Sequence, residues 1–103
     1  MSTSDDVEIA CSLSAADQAA RLAAWADLLA RALDRHRVDG GWRLAFPADP
    51  TLVGQLADIA VREQQCCRFF SFAILIDSGD RVALEARGPD AARPLLDELM
   101  AAS

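Results

Sequence analysis

The spacing of hydrophobic and polar positions changes period along this chain, and each change marks an element. Val7, Ile9, Cys11 and Leu13 alternate with Glu8, Ala10 and Ser12, a period of two that predicts a half-buried strand with Cys11 on its core side. Ser14, with Asp17 three residues on, supplies an N-cap and an acidic first turn. Leu22, Trp25, Ala26, Leu29 and Leu33 then recur at helical spacing, predicting an amphipathic helix to about Arg37. Asp39-Gly40-Gly41 breaks it, and Trp42, Leu44 and Phe46 alternate through a second strand that Pro47 ends. Asp49 as N-cap and Pro50 as first helical residue open a second helix. Its apolar face carries Leu56, Ile59 and Ala60, then Glu63, then Cys66 or Cys67.

Phe70, Phe72, Ile74 and Ile76 mark a third strand whose other face is also apolar, which predicts a central place in the sheet. Asp77-Ser78-Gly79-Asp80 predicts a hairpin turn. The fourth strand sends Val82, Leu84 and Ala86 inward and Arg81, Glu85 and Arg87 outward. Gly88-Pro89-Asp90 begins a last helix with Leu95, Leu96, Leu99 and Met100 toward the core, and Pro94 falls near its first turn, where proline is tolerated. The order βαβαββα predicts an α+β two-layer sandwich: a mainly antiparallel four-stranded sheet with helices on one face. At 103 residues the chain is read as one domain, 1–103, with residues 1–6 a flexible tail.

Charge narrows the range of partners. A net charge of −6 argues against nucleic-acid binding by this chain, because a phosphate-contacting surface needs a basic excess. No stretch approaches the roughly 20 apolar residues of a membrane span. The polar, acidic start Met1-Ser2-Thr3-Ser4-Asp5-Asp6 lacks the regions of a signal peptide. A cytoplasmic location follows as the expectation, and with it three reduced cysteines.

The chemistry concentrates in Glu63-Gln64-Gln65-Cys66-Cys67. Glu63 stands three and four residues before the two thiols and so shares a helix face with them. It also continues an apolar stripe, where a carboxylate has to be paired, hydrogen-bonded, metal-bound or protonated. Three thiolates from Cys11, Cys66 and Cys67 meeting at a point would suit a thiophilic ion such as Hg(II), As(III), Cu(I) or Zn(II). Zinc normally takes a fourth ligand, for which Glu63, His36 or water are candidates. Against this stands the packing reading, since reduced cysteine behaves as a small buried hydrophobe. His36 is read as capping the end of the first helix, Arg31, Arg35 and Arg37 as its solvated face, and Trp25 and Trp42 as core.

Ile9-Ala10-Cys11-Ser12-Leu13, the helix holding Trp25, Gly40-Gly41-Trp42-Arg43-Leu44-Ala45-Phe46 and Glu63-Gln64-Gln65-Cys66-Cys67-Arg68-Phe69-Phe70-Ser71-Phe72 together resemble a small bacterial domain of unassigned function. That domain is similar to a C-terminal module fused to some MerR-type regulators. The likeness runs from about Val7 to Met100, although the commoner motif has Pro where Arg68 stands. It implies an association with heavy-metal response, with Cys11, Cys66 and Cys67 as candidate ligands. A regulatory protein and a second copy of the chain are the candidate partners.

Three readings follow. The first is a small cytoplasmic protein binding or sensing a thiophilic metal through Cys66, Cys67 and Cys11, with Glu63 as ligand or supporting base. The second is a thiol redox protein or enzyme. The third is a non-catalytic interaction or dimerisation module whose cysteines only pack.

Overall fold

Apolar spacing at Leu22, Trp25 and Leu29 is realised in α1 (Ala15–Leu29), the first element of a computed structural model that describes residues 15–77 and 79–101. The predicted tail, the predicted strand around Cys11 and the Ser14 cap lie outside these residues. After α1 come β1 (Asp34–Val38), β2 (Gly41–Pro47), α2 (Pro50–Cys66), β3 (Ser71–Ile76), β4 (Arg81–Arg87), a short 3₁₀ turn at Asp90–Ala92 and α3 (Arg93–Met100). The four strands form one antiparallel sheet in the order β1-β2-β4-β3. With the helices packed on it, this is the predicted α+β fold.

The core forms where the sheet's inward side chains meet the helices. Leu44 and Phe46 from β2 and Val82, Leu84 and Ala86 from β4 pack with Trp25, Leu29, Leu56, Leu96 and Met100. Trp25 stacks on Phe72 with centroids 5.7 Å apart and planes 22° from parallel. α2 begins as its sequence predicts: Asp49 accepts a hydrogen bond from Leu52 N–H at 3.0 Å, and Pro50 fills the first helical position, where its missing N–H costs nothing.

One expectation is corrected. The first helix stops at Leu29 rather than about Arg37, and residues 34–38 are strand. Leu33 N–H already donates to Ala45 C=O at 2.7 Å, so the chain has joined the sheet where the helix was expected to continue. β1 is an edge strand, Asp-Arg-His-Arg-Val, with few apolar positions to reveal its period. Asp39-Gly40 is therefore a two-residue hairpin turn and not a helix end; Val38 pairs with Gly41, and Gly40 carries the positive φ of +81°.

β3 is the last strand of the described sheet, with β4 and β2 between it and β1. Its doubly apolar pattern leaves Leu75 and Ile76 exposed.

Two of the three arginines expected on a solvated helix face, Arg35 and Arg37, hold the sheet to the helices instead. Arg35 donates to Met100 C=O at 3.0 Å and to Leu29 C=O at 3.2 Å, so one guanidinium caps the C-terminal ends of α3 and α1. Asp97 on α3 accepts from Trp42 Nε1 at 2.9 Å and Arg37 at 3.1 Å, and Arg37 lies 5.0 Å from the Trp42 ring centroid. The Trp42 indole bond and the Arg37 guanidinium hold the Asp97 carboxyl below its ordinary value. On the sheet's outer face, hydrogen bonding from Arg87, with Arg43 beside it, does the same for Glu85.

Candidate thiol site

α2 ends at the cysteine pair. Cys66 is its last residue and Cys67 its cap, whose N–H still donates to Glu63 C=O at 2.7 Å. Phe70 N–H then donates to Cys67 C=O at 3.1 Å, and this turn swings the chain into β3. One step along a helix rotates a side chain by about 100°, so the two neighbouring sulfurs have different surroundings. Cys67 is fully buried in the core with Phe70 and Leu99, whereas Cys66 is half-buried at the core's margin.

Their chemical states also differ. Cys66 is a free thiol and Cys67 is disulfide-bonded. The expectation of three reduced thiols is thereby corrected, and the bonded pair is not the vicinal one. A cytoplasmic setting disfavours disulfides, and an odd cysteine count speaks against a framework in which every cysteine pairs, but neither excludes one bond and one spare thiol. Cys11 lies outside the described residues.

Glu63 is 1% exposed on α2 and has found partners on α1. Its Oε1 accepts from Trp25 Nε1 at 2.9 Å and lies 2.8 Å from Arg21 Nε. The Arg21 contact is an ion pair whose N–H is not aligned with the oxygen, so Nε makes no directed hydrogen bond. Glu63 Oε2 and Arg21 Nη1 are also buried without a hydrogen-bond partner. Of the four explanations open to a carboxylate on an apolar stripe, pairing is the one realised. Arg21 was missed from sequence, though a signal existed: it stands four residues before Trp25, on the same helical face.

Glu63 and Cys66 line one cavity of about 560 Å³ between α1 and α2, walled by Ala24, Leu28 and Ile59 with Arg21 beside them. Asp58 and Arg62, an exposed ion pair at 3.2 Å, stand at its rim. Cys67 is not among its lining residues. His36, considered as a fourth zinc ligand, sits on β1 at the opposite edge of the sheet from β3, with Asp34 Oδ2 3.6 Å from its Nδ1. Among the described residues no group of three or more His, Cys, Asp or Glu side chains is placed to hold a metal ion. No helix of the described residues is long and apolar enough to cross a membrane.

Comparison with protein-family models, with curated proteins and with solved structures gave no match.

Proposed function

We propose that this chain is a small redox-responsive thiol protein, with Cys66 as its reacting thiol and the disulfide at Cys67 as the bond that forms and breaks. The observation that carries the reading is the opposite state of two adjacent cysteines: Cys67 buried and bonded, Cys66 half-exposed and free. In the cytoplasm, the location expected from the sequence, protein disulfides are usually transient and serve catalysis or sensing.

Exchange at Cys66 is balanced with a small disulfide as co-reactant. The Cys66 thiolate attacks one sulfur of that disulfide, the S–S bond breaks, one half leaves as thiolate and the other stays on Cys66. Opening of the Cys67 bond consumes two external thiols and returns their disulfide.

Metal uptake is then a property of the reduced chain. Only after reduction do Cys66, Cys67 and Cys11 together offer thiols to Hg(II), As(III), Cu(I) or Zn(II). The resemblance to a module of heavy-metal regulators supports this second reading.

Alkylation with iodoacetamide, followed by peptide mass spectrometry, tests the proposal. The native oxidised protein is expected to be labelled on Cys66 and not on Cys67, and the reduced, unfolded protein on all three cysteines. Equal labelling of all three cysteines without reductant would overturn it. Native mass spectrometry with each ion is expected to show uptake by the reduced form and little by the oxidised one.

A further inference from the structure

Contacts around Cys67 close on themselves. Its N–H donates to Glu63 C=O at 2.7 Å, and its C=O accepts from Phe70 N–H at 3.1 Å. Phe70 meets Phe72 edge-on with centroids 6.2 Å apart, and Phe72 stacks on Trp25. The Trp25 indole N–H donates to Glu63 Oε1 at 2.9 Å, which returns the circuit to α2. The circuit joins α1, the end of α2 and β3, and one of its members, Cys67, is covalently tied by a disulfide.

Glu63 is the member least at ease. Its side chain is 0% exposed and that of Arg21 only 13%. Glu63 Oε2 and Arg21 Nε and Nη1 are nevertheless buried without a hydrogen-bond partner. Leaving a buried polar group unsatisfied costs more than a typical hydrogen bond contributes, and native structures carry few such atoms. With all of them on one ion pair, any rearrangement that brings the pair to solvent is favoured locally. Packing of the last turn of α2 opposes it, and Cys67 caps that turn.

We infer that the Cys67 disulfide is a redox switch for the Arg21–Glu63 pair and, through it, for the Cys66 thiol. Bonded, the disulfide pins the end of α2 to the core and keeps the pair closed. Opened, it releases that turn, and the pair moves toward solvent in the cavity between α1 and α2. Arg21, Glu63 and Cys66 line this cavity together, so the movement uncovers the free thiol. The inference rests on the thiol reading above and adds how the reacting thiol is regulated. The opening step is balanced: two external thiols are oxidised to one disulfide, and their two protons pass to Cys67 and its partner sulfur.

The other indole supplies a contrast within the same molecule. Trp42 Nε1 donates to Asp97 Oδ1 at 2.9 Å, and Arg37 occupies Oδ2 of the same carboxylate at 3.1 Å. That cluster lies between β2, β1 and α3, outside the circuit, and both of its carboxylate oxygens are used.

The experiment follows exchange of the two indole N–H groups by NMR in the full wild-type chain at pH 7, oxidised and after reduction with dithiothreitol. Through-space contact with Phe72 identifies the Trp25 signal. Relieving one unsatisfied buried group shifts a local equilibrium by about tenfold, so the Trp25 indole is expected to exchange at least that much faster in the reduced chain. The Trp42 indole is expected to change by less than about threefold, because its opening is a separate local event. Alkylation of Cys66 by iodoacetamide, located by fragmenting the peptide that carries both cysteines, is expected to quicken together with Trp25 exchange.

Equal acceleration of both indoles would mean that reduction only lowers global stability, and would overturn the switch while leaving Cys66 a reacting thiol. Unchanged exchange at Trp25 with Cys67 reduced would overturn it too, as would a Cys66 alkylation rate that does not move. A Cys67 disulfide that dithiothreitol leaves intact in the folded chain would overturn the thiol reading as well.

Discussion

Replacing Arg21 with methionine would leave the Glu63 carboxylate buried with only Trp25 Nε1 on its Oε1. With Nε 2.8 Å from Oε1, the charge centres lie about 4 Å apart, a gross attraction of about 4 kcal/mol at an effective dielectric of 20. Desolvation of two ions offsets much of this in the intact pair, so the pair's net contribution is small. Removing one partner is a different matter, because the remaining charge stays in a site that is 1% exposed. Arg21→Met is therefore expected to lose about 3–5 kcal/mol, a large share of the stability of a domain this size. Arg21→Met with Glu63→Met removes both charges and keeps apolar volume. It is expected to lie within about 2 kcal/mol of wild type, the remainder being the unpaired Trp25 N–H. The assay is guanidinium unfolding at pH 7 followed by far-UV circular dichroism, with the disulfide intact in every variant and the m-value used to check that the unfolded states match. A loss below about 1 kcal/mol in Arg21→Met, the range of exposed pairs, would mean that water reaches the carboxylate and would refute the reasoning.

Three further outcomes follow. Gly41→Ala places a Cβ 1.8 Å from the Ala86 carbonyl oxygen across the β2–β4 pairing; because the obstruction is backbone, thermal melting is expected to show a loss beyond the roughly 1–3 kcal/mol of ordinary overpacking. Gly54→Ala, at an exposed site inside α2 where the new methyl meets nothing within 4 Å, is expected to raise stability by about 0.5–1 kcal/mol, and an unchanged unfolding midpoint would contradict that. Asp97, held below its ordinary 3.8 by Trp42 and Arg37, contributes stability that is present above its unfolded pKa and lost as pH falls through the lower folded one. Asp97→Asn should accordingly be less stable at pH 7, by about 0.5–1 kcal/mol, and show a flatter acid limb below about pH 4 in a stability–pH series.

Sequence periodicity located elements wherever one face is apolar and the other polar. β2 and β4 were legible from Leu44, Phe46, Val82 and Leu84, and α2 from Asp49-Pro50 and Leu56. It failed at β1 because Asp-Arg-His-Arg-Val packs little and is held by backbone pairing and the Arg35 hydrogen bonds. Asp39-Gly40 could have corrected that reading, since Asp-Gly between two segments is a hairpin signal. β3 was legible from Phe72 and Ile74, and its second apolar face leaves Leu75 and Ile76 exposed. At the site, the odd placement of Glu63 was visible and its partner was not, because finding Arg21 requires knowing how α1 lies against α2. The different states of Cys66 and Cys67 depend on where a helix stops, and an uncapped C-terminus such as this one leaves few marks in sequence.

Arg35 ties the last carbonyl of α1 and that of α3 to the most polar strand of the sheet. That makes the β1–β2 hairpin a shared latch. Each helix has a fraying end, and both ends depend on one cation, so opening β1 leaves two termini uncapped together rather than in turn. The cooperative unit of partial unfolding should then be drawn across the chain, from residues near 29 and 34–38 to those near 100. Native-state amide exchange would register it as a common opening energy, converging for the last turns of α1 and α3, that splits into two when Arg35 is replaced by leucine.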